Sequence, residues 1–164
     1  MSESTSESTS SSTDVKAQLK LALTAAMRAR DESELSALRQ ALSAIAVAET
    51  AGSEATVLAD AAVLSVLAVE VRKHLEAADA FETAGRPERV AAERAEAGVL
   101  ERYLPAAMSD DELAQLVRSE IDAAAAEGNT GMKAMGKVVS AVRAKAGTSA
   151  DGAAIAAMVK AALS

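Results

Sequence analysis

Residues 81 to 105 read FETAGRPERVAAERAEAGVLERYLP, and this stretch contains a helix end, a helix start and a second helix end. Gly85 suits the left-handed backbone conformation that ends many helices. Pro87 suits the first position of the next helix, because its missing N–H needs no partner there and its ring presets φ. Tyr103-Leu104-Pro105 closes that helix, since the residue before a proline is pushed out of the helical region. The stretch predicts two consecutive helices followed by a corner.

The composition of the whole chain favours an all-α fold. Hydrophobic residues make up 50% of the 164 residues, with one Phe, one Tyr and no Trp. Alanine dominates, which favours closely packed helices over a sheet rich in aromatic and β-branched residues. A chain of this length can build one or two small domains.

Apolar residues recur at helical spacing on both sides of this stretch, and seven helices are predicted. The first runs from 15 to 29 behind Asp14 as N-cap, with its apolar positions ending at Met27, and should pack as an antiparallel hairpin with the second. Asp31 or Ser33 caps the second helix, which Gly52 ends. The third runs from 60 to 84 with Leu75 on its apolar stripe, and the fourth runs from 87 to about 102.

Three shorter helices follow the corner. Ser109 and Glu112 have the spacing of a capping box, which marks a strong start for the fifth helix, and that helix ends near Gly128. The sixth begins at Met132, and Thr148, Ser149 or Asp151 caps the last. We therefore predict a disordered tail at 1–13, whose sequence MSESTSESTSSST offers almost nothing to bury. A four-helix subdomain at 14–105 and a three-helix subdomain at 106–164 follow it.

Several classes of function are disfavoured by residue counts. The chain contains no cysteine and one histidine, so we expect neither a disulfide nor a metal site, and no cofactor is indicated. No apolar run approaches the roughly 20 residues that a membrane span requires, and the N-terminus lacks a signal-peptide pattern. We expect a cytoplasmic protein that does not contact a membrane.

No residue is predicted to be catalytic. His74 could act as an acid or base, but its position beside Arg72 and Lys73 offers no preferred partner. We therefore interpret it as a surface or boundary histidine. Glu93 and Glu96 are read as a solvated helix face, because a cation site needs several oxygens that converge in three dimensions.

The distribution of charge is more informative than the net charge of −7, which disfavours general binding to DNA or RNA. Asp151 is the only acid from 131 to 164, where five basic residues occur: Lys133, Lys137, Arg143, Lys145 and Lys160. Lys133 and Lys137 project from one helix face. Two interpretations stay open, ordinary solubility and phosphate contact, and Arg72, Lys73 and Arg86 join the second only if the two subdomains face the same way.

Glycines inside predicted helices also require a reason, because Gly costs about 1 kcal/mol relative to Ala in a helix. Gly136 in the sixth helix and Gly98 in the fourth are the two cases. Close approach of another backbone would explain them. Packing within the chain is the explanation that we expect, with a partner or an RNA backbone as alternatives.

Short motifs, taken in order, resemble the signature of the GatB/YqeY family. They are Leu38-Arg39 with Leu42-Ser43-Ala44-Ile45, Ala84-Gly85-Arg86, Glu93 ten residues before Tyr103-Leu104-Pro105, Met135-Gly136-Lys137 and Ala150-Asp151-Gly152. The resemblance covers residues 15 to 164. This chain departs from the usual pattern at Gly147-Thr148-Ser149, where relatives tend to carry a basic residue after the Gly, and it has a less basic third helix.

The resemblance implies an all-α protein related to the tail domain of the GatB subunit of tRNA-dependent amidotransferase. In that enzyme the tail helps to hold tRNA, while chemistry occurs in a separate larger domain. The family is associated with carbon-nitrogen ligase activity that uses glutamine as amido-N-donor. We therefore expect a module that is not catalytic alone and binds tRNA or an aminoacyl-tRNA-related protein complex. The alternative is a protein-protein interaction module without RNA binding.

Overall fold

The structure is a computed structural model that describes residues 14–164. Every regular element in this range is helical, and no strand occurs in it. The all-α prediction is confirmed, whereas the predicted tail at 1–13 lies outside the described residues. The seven α-helices are α1 (Val15–Ala29), α2 (Glu32–Glu49), α3 (Asp60–Thr83), α4 (Pro87–Glu101), α5 (Asp110–Ala126), α6 (Met135–Ala146) and α7 (Gly152–Leu163).

The turn between α3 and α4 has the geometry that its sequence predicts. Gly85 has φ of 67°, the left-handed conformation that a side chain would oppose. Pro87 occupies the start of α4, where it forgoes no helical hydrogen bond. After α4, Tyr103 and Leu104 are half-buried against the N-terminal core, so the corner is anchored by packing.

Side-chain caps fix four helix starts. The carboxylate of Asp14 accepts from the backbone N–H of Ala17 at the start of α1. Asp31, not Ser33, caps α2, and Asp151 caps α7. The predicted capping box of α5 is present in both directions between Ser109 and Glu112. These local contacts explain why the helix starts follow from the sequence.

The buried side chains of the described residues form two groups. The first lies within α1 to α4, where α4 packs against both α2 and α3. An ion pair between Lys16 and Glu49 joins the start of α1 to the end of α2, which confirms that they are antiparallel. The second group lies among α5, α6 and α7. The groups meet where α3 contacts a 3-10 turn, Gly147–Ser149, after α6.

Two predicted stripe positions are wrong. Met27 and Leu75 are exposed at 48% and 40%, while Ala26 and His74 are buried. In α3 the buried positions follow the face that packs on α4, and each helical residue advances about 100° around the axis. Leu75 therefore points one step away from that face, and His74 takes the inward position.

The sixth helix begins later than predicted. A 3-10 turn, Gly131–Ala134, precedes α6, so Met132 and Lys133 lie before the α-helix. Among residues 14–164, no helix has both the length and the apolar character that crossing a membrane would require.

Candidate functional site

His74 is buried, and its prediction as a surface or boundary residue is wrong. The side chain is 5% exposed, and its Nδ1 lies 2.7 Å from Oε2 of Glu93 on α4. The helix face that packs on α4 carries it inward. Chain spacing could not reveal this contact, because it depends on how α3 and α4 align.

Glu93 and Glu96 do not form a solvated face, which corrects a second prediction. Both are half-buried, and Oε2 of Glu96 lies 3.7 Å from Nε2 of His74. Gln40 on α2 donates to the same oxygen at 3.0 Å. Their i, i+3 spacing on α4 was the available signal that both could face one neighbour. The cluster ties α2, α3 and α4 together around the buried ring of His74.

The predicted basic residues of the C-terminal helices differ in their partners. Lys137 pairs with Glu127, and Lys145 pairs with Glu120, whose own side chain is almost buried. Lys133 is exposed and has no ion pair among residues 14–164. Two of these five basic residues are thus partly neutralised by acids of α5 or the turn that follows it, which sequence spacing alone did not show.

Arg143 is held against the start of α7. Its Nη2 donates to the carbonyl of Gly152 at 3.4 Å. A Cβ at Gly152 would lie 3.2 Å from the same nitrogen, so the glycine leaves the space that the guanidinium uses. The Ala150-Asp151-Gly152 motif therefore both caps α7 and positions a basic side chain beside it.

Arg86 is separated from these residues. It precedes α4 at the α3–α4 turn, in an exposed pocket of about 330 Å³ that Pro87 and Val90 also line. The part of α3 that faces the 3-10 turn Gly147–Ser149 includes Leu75. α3 continues for eight residues beyond Leu75, or roughly 12 Å of helix, before the turn that carries Arg86. Among the described residues, no hydrogen bond joins Arg86 to α6.

Gly136 and Gly98 are exposed, and the expectation that packing within the chain requires them is wrong. A Cβ added to either residue would meet no atom within 4 Å. Both glycines lie on outward faces of their helices. Gly136 therefore leaves an open piece of backbone between Lys133 and Lys137.

Two side chains, Tyr103 at the corner and Glu112 at the start of α5, have shifted pKa values with local causes. Burial raises the pKa of Tyr103, which lies beside Arg102 and Glu34. Hydrogen bonds from the backbone N–H and the hydroxyl of Ser109 lower the pKa of Glu112. Both effects belong to structural contacts and indicate no reacting group.

Residues 14–164 thus define an all-helical fold. The chain matches the family described as Yqey-like protein over residues 16–163, and it belongs to that family. The resemblance read from its short motifs is thereby confirmed. A search of curated proteins found none that matches this chain.

Proposed function

We propose that the protein is a non-catalytic helical module of the cytoplasm that binds tRNA, or a protein complex that carries tRNA. Residues 14–105 form a four-helix subdomain and residues 106–164 a three-helix subdomain in this proposal. RNA contacts the second subdomain through Lys133, Lys137 and Arg143. The relation to the tail of tRNA-dependent amidotransferase, implied by the sequence resemblance, supports this choice of ligand.

One observation carries the proposal: an exposed lysine of the 3-10 turn and an exposed lysine of α6 lie before and after an open glycine of α6. Lys133 and Lys137 lie on either side of Gly136, where nothing occupies the space of a missing Cβ. A phosphate can approach such a backbone more closely than one covered by a side chain. The cations supply the attraction, because binding phosphate releases counterions from the nucleic acid.

Ion pairing sets the expected strength of this interaction. Lys137 exchanges Glu127 for a phosphate when RNA binds, and Lys145 remains beside Glu120. An exposed ion pair contributes less than about 1 kcal/mol, so exchange at Lys137 is feasible. With few phosphates neutralised, the affinity should be modest and its salt dependence shallow.

Titration of the full chain with tRNA at about 50 and 200 mM salt tests the proposal. We expect Lys133→Ala to weaken binding and to reduce the salt slope by about one, which is the loss of one phosphate contact. Lys20→Ala, which removes an exposed lysine from α1, is the matched control and should change neither quantity. Salt-insensitive binding, or equal effects of both variants, would contradict the proposed interface.

Carbon-nitrogen ligase activity is assigned here to the larger amidotransferase and not to this module. No described residue pairs a nucleophile with a base, since the one histidine is enclosed by Glu93 and Glu96. Purified protein incubated with glutamine, ATP and aminoacyl-tRNA should form no amide product. Formation of that product in proportion to protein concentration would refute the non-catalytic assignment.

Lys137 and Lys145 each form an ion pair with a glutamate of the same chain. This neutralisation favours a second candidate, a protein-interaction module without RNA binding. Affinity capture from lysate, with and without nuclease, separates the two. An association mediated by RNA should disappear after nuclease treatment, whereas a direct protein contact should persist.

A further inference from the structure

Two open grooves lie on either side of α3 and share one residue. The first runs between α2 and α3, with a volume of about 650 Å³. The second, of about 630 Å³, lies between α3 and two segments near the corner and the start of α7. Val69 lines both grooves, so the two form one surface across the outer face of α3.

The floor of this surface is aliphatic. Val47 is 65% exposed and Val69 is 42% exposed in the first groove, and Leu75 is 40% exposed in the second. Ala44 and Val66 extend the apolar lining between α2 and α3. Contiguous exposed aliphatic side chains of this kind are typical of sites that bind another protein.

Basic residues border the same surface. Arg39, Lys73 and Glu70 line the first groove, and Arg72 and Asp151 line the second. The carboxylate of Asp151 is engaged as the N-cap of α7. Lys73 pairs with Glu70, whereas Arg39 and Arg72 form no ion pair within residues 14–164. The charge of these two arginines is complementary to an acidic ligand.

We propose that this surface, the α3 grooves, binds an acidic amphipathic helix of a partner protein. The apolar stripe of that helix packs on Val47, Val66 and Val69, and its carboxylates pair with Arg39 and Arg72. The α2 residues of the first groove span 39 to 48, which corresponds to about 15 Å of helix. A ligand helix of about three turns fits this length, and helix-in-groove binding uses such a pattern of apolar positions.

The same residues argue against two other occupants. No aromatic side chain lines either groove, so bases would have no platform for stacking. A two-fold contact between two copies of this face would set the same cationic lining, with Arg39 and Arg72, against itself. This proposal rests on the second candidate function, the protein-interaction module, and specifies its partner. It does not depend on RNA binding.

The test uses three fluorescent peptides of about 14 residues and the full chain. The first carries Leu at helical spacing with Glu on both flanks, the second replaces Glu by Lys, and the third scrambles the first. We expect the acidic amphipathic peptide to bind at least tenfold more tightly than either of the others. Equal binding of the first and scrambled peptides would overturn the proposal.

Two substitutions locate the peptide on the protein. Val69→Asp should weaken binding of the acidic peptide at least tenfold, whereas Val57→Asp, at a residue 86% exposed before α3, should leave it unchanged. Circular dichroism checks that both variants fold. The double charge reversal Arg39→Glu with Arg72→Glu should reverse the preference, so that the Lys peptide binds more tightly than the Glu peptide. Unchanged preference would place the peptide elsewhere and refute the site.

Sedimentation of the protein alone distinguishes a second copy from a partner. A dimer that Val69→Asp dissociates would show that the chain covers its own grooves, which contradicts the proposal. Capture from lysate tests the α3 grooves separately from the second candidate function. If Val69→Asp still captures a partner after nuclease treatment, the α3 grooves are not the binding site, and the second candidate function is unaffected.

Discussion

Two polar contacts, one between N-terminal helices and one beside the C-terminal helix α6, differ in burial. His74 lies 2.7 Å from Glu93 between α3 and α4 with 5% of its surface exposed. The pair between Lys137 and Glu127 joins α6 to the residue after α5 with both side chains at least half exposed. The first contact helps to determine how helices pack, and the second is open to exchange with a ligand.

This difference separates folding from binding. Removing one member of a buried polar contact leaves its partner without hydrogen bonds and without water, which is costly. Removing a member of an exposed pair returns the other to solvent at little cost. Substitution of His74 should therefore act on stability, and substitution of Lys137 should act on affinity.

The largest effect is expected for His74→Ala. The change leaves Glu93 without its partner and opens a cavity between α3 and α4, so the free energy of unfolding should fall by about 2–3 kcal/mol. Urea unfolding followed by circular dichroism measures it. Lys137→Ala is the matched substitution in the exposed pair and should cost less than about 1 kcal/mol. Similar losses of unfolding free energy in the two variants would contradict the difference between the two contacts.

The sequence could predict the helices better than the contacts between them. Helix starts depend on residues three or four positions apart, as at Ser109 and Glu112 or at Asp31, and these were identified. Gly85 and Pro87 likewise determine the α3–α4 turn through their own backbone preferences. Local physics is sufficient for such features.

Contacts between helices could not be derived in the same way. Whether His74 or Leu75 faces inward depends on which side of α3 the next helix covers, and that choice lies outside the local sequence. Lys137 pairs with Glu127, which follows α5 and lies ten residues away along the chain. Lys145 pairs with Glu120 of α5, which lies 25 residues away. For the candidate site, the sequence indicated the basic residues but not which of them acids would neutralise.

The next largest effect is expected at the start of α5. Ser109→Ala removes the hydroxyl that accepts from the N–H of Glu112 and breaks the capping box, so stability should fall by about 1 kcal/mol. Thermal unfolding measures the change. Ser140→Ala, at an exposed position within α6, is the control and should not lower the midpoint. A decrease of equal size in the control would show that the cap contributes nothing.

Two glycine substitutions sharpen the distinction between stability and binding. Gly136→Ala and Gly98→Ala each place a Cβ in open space, so each should stabilise its helix by about 0.5–1 kcal/mol. Only Gly136 lies between the lysines of the proposed RNA surface. Gly136→Ala should therefore weaken tRNA binding several-fold, while Gly98→Ala should not. Unchanged binding by both variants would remove the role of the open backbone in RNA binding.

The smallest effect is expected in the dependence of stability on pH through Glu112. The pKa of Glu112 is lowered from its ordinary value of 4.5 by hydrogen bonds from the backbone and hydroxyl of Ser109. A group with a lowered folded pKa contributes stability above its unfolded pKa and loses that contribution as pH falls through the folded pKa. Glu112→Gln keeps a side chain that can accept these bonds but cannot titrate. Its unfolding free energy should therefore decrease less than that of the wild type between pH 7 and about pH 3, in urea titrations at each pH. Asp111→Asn removes a charge from the same turn without touching Ser109 and should follow the wild type. If the unfolding free energy of Glu112→Gln changes with pH as that of the wild type does, protonation of Glu112 does not affect the stability of the capping box.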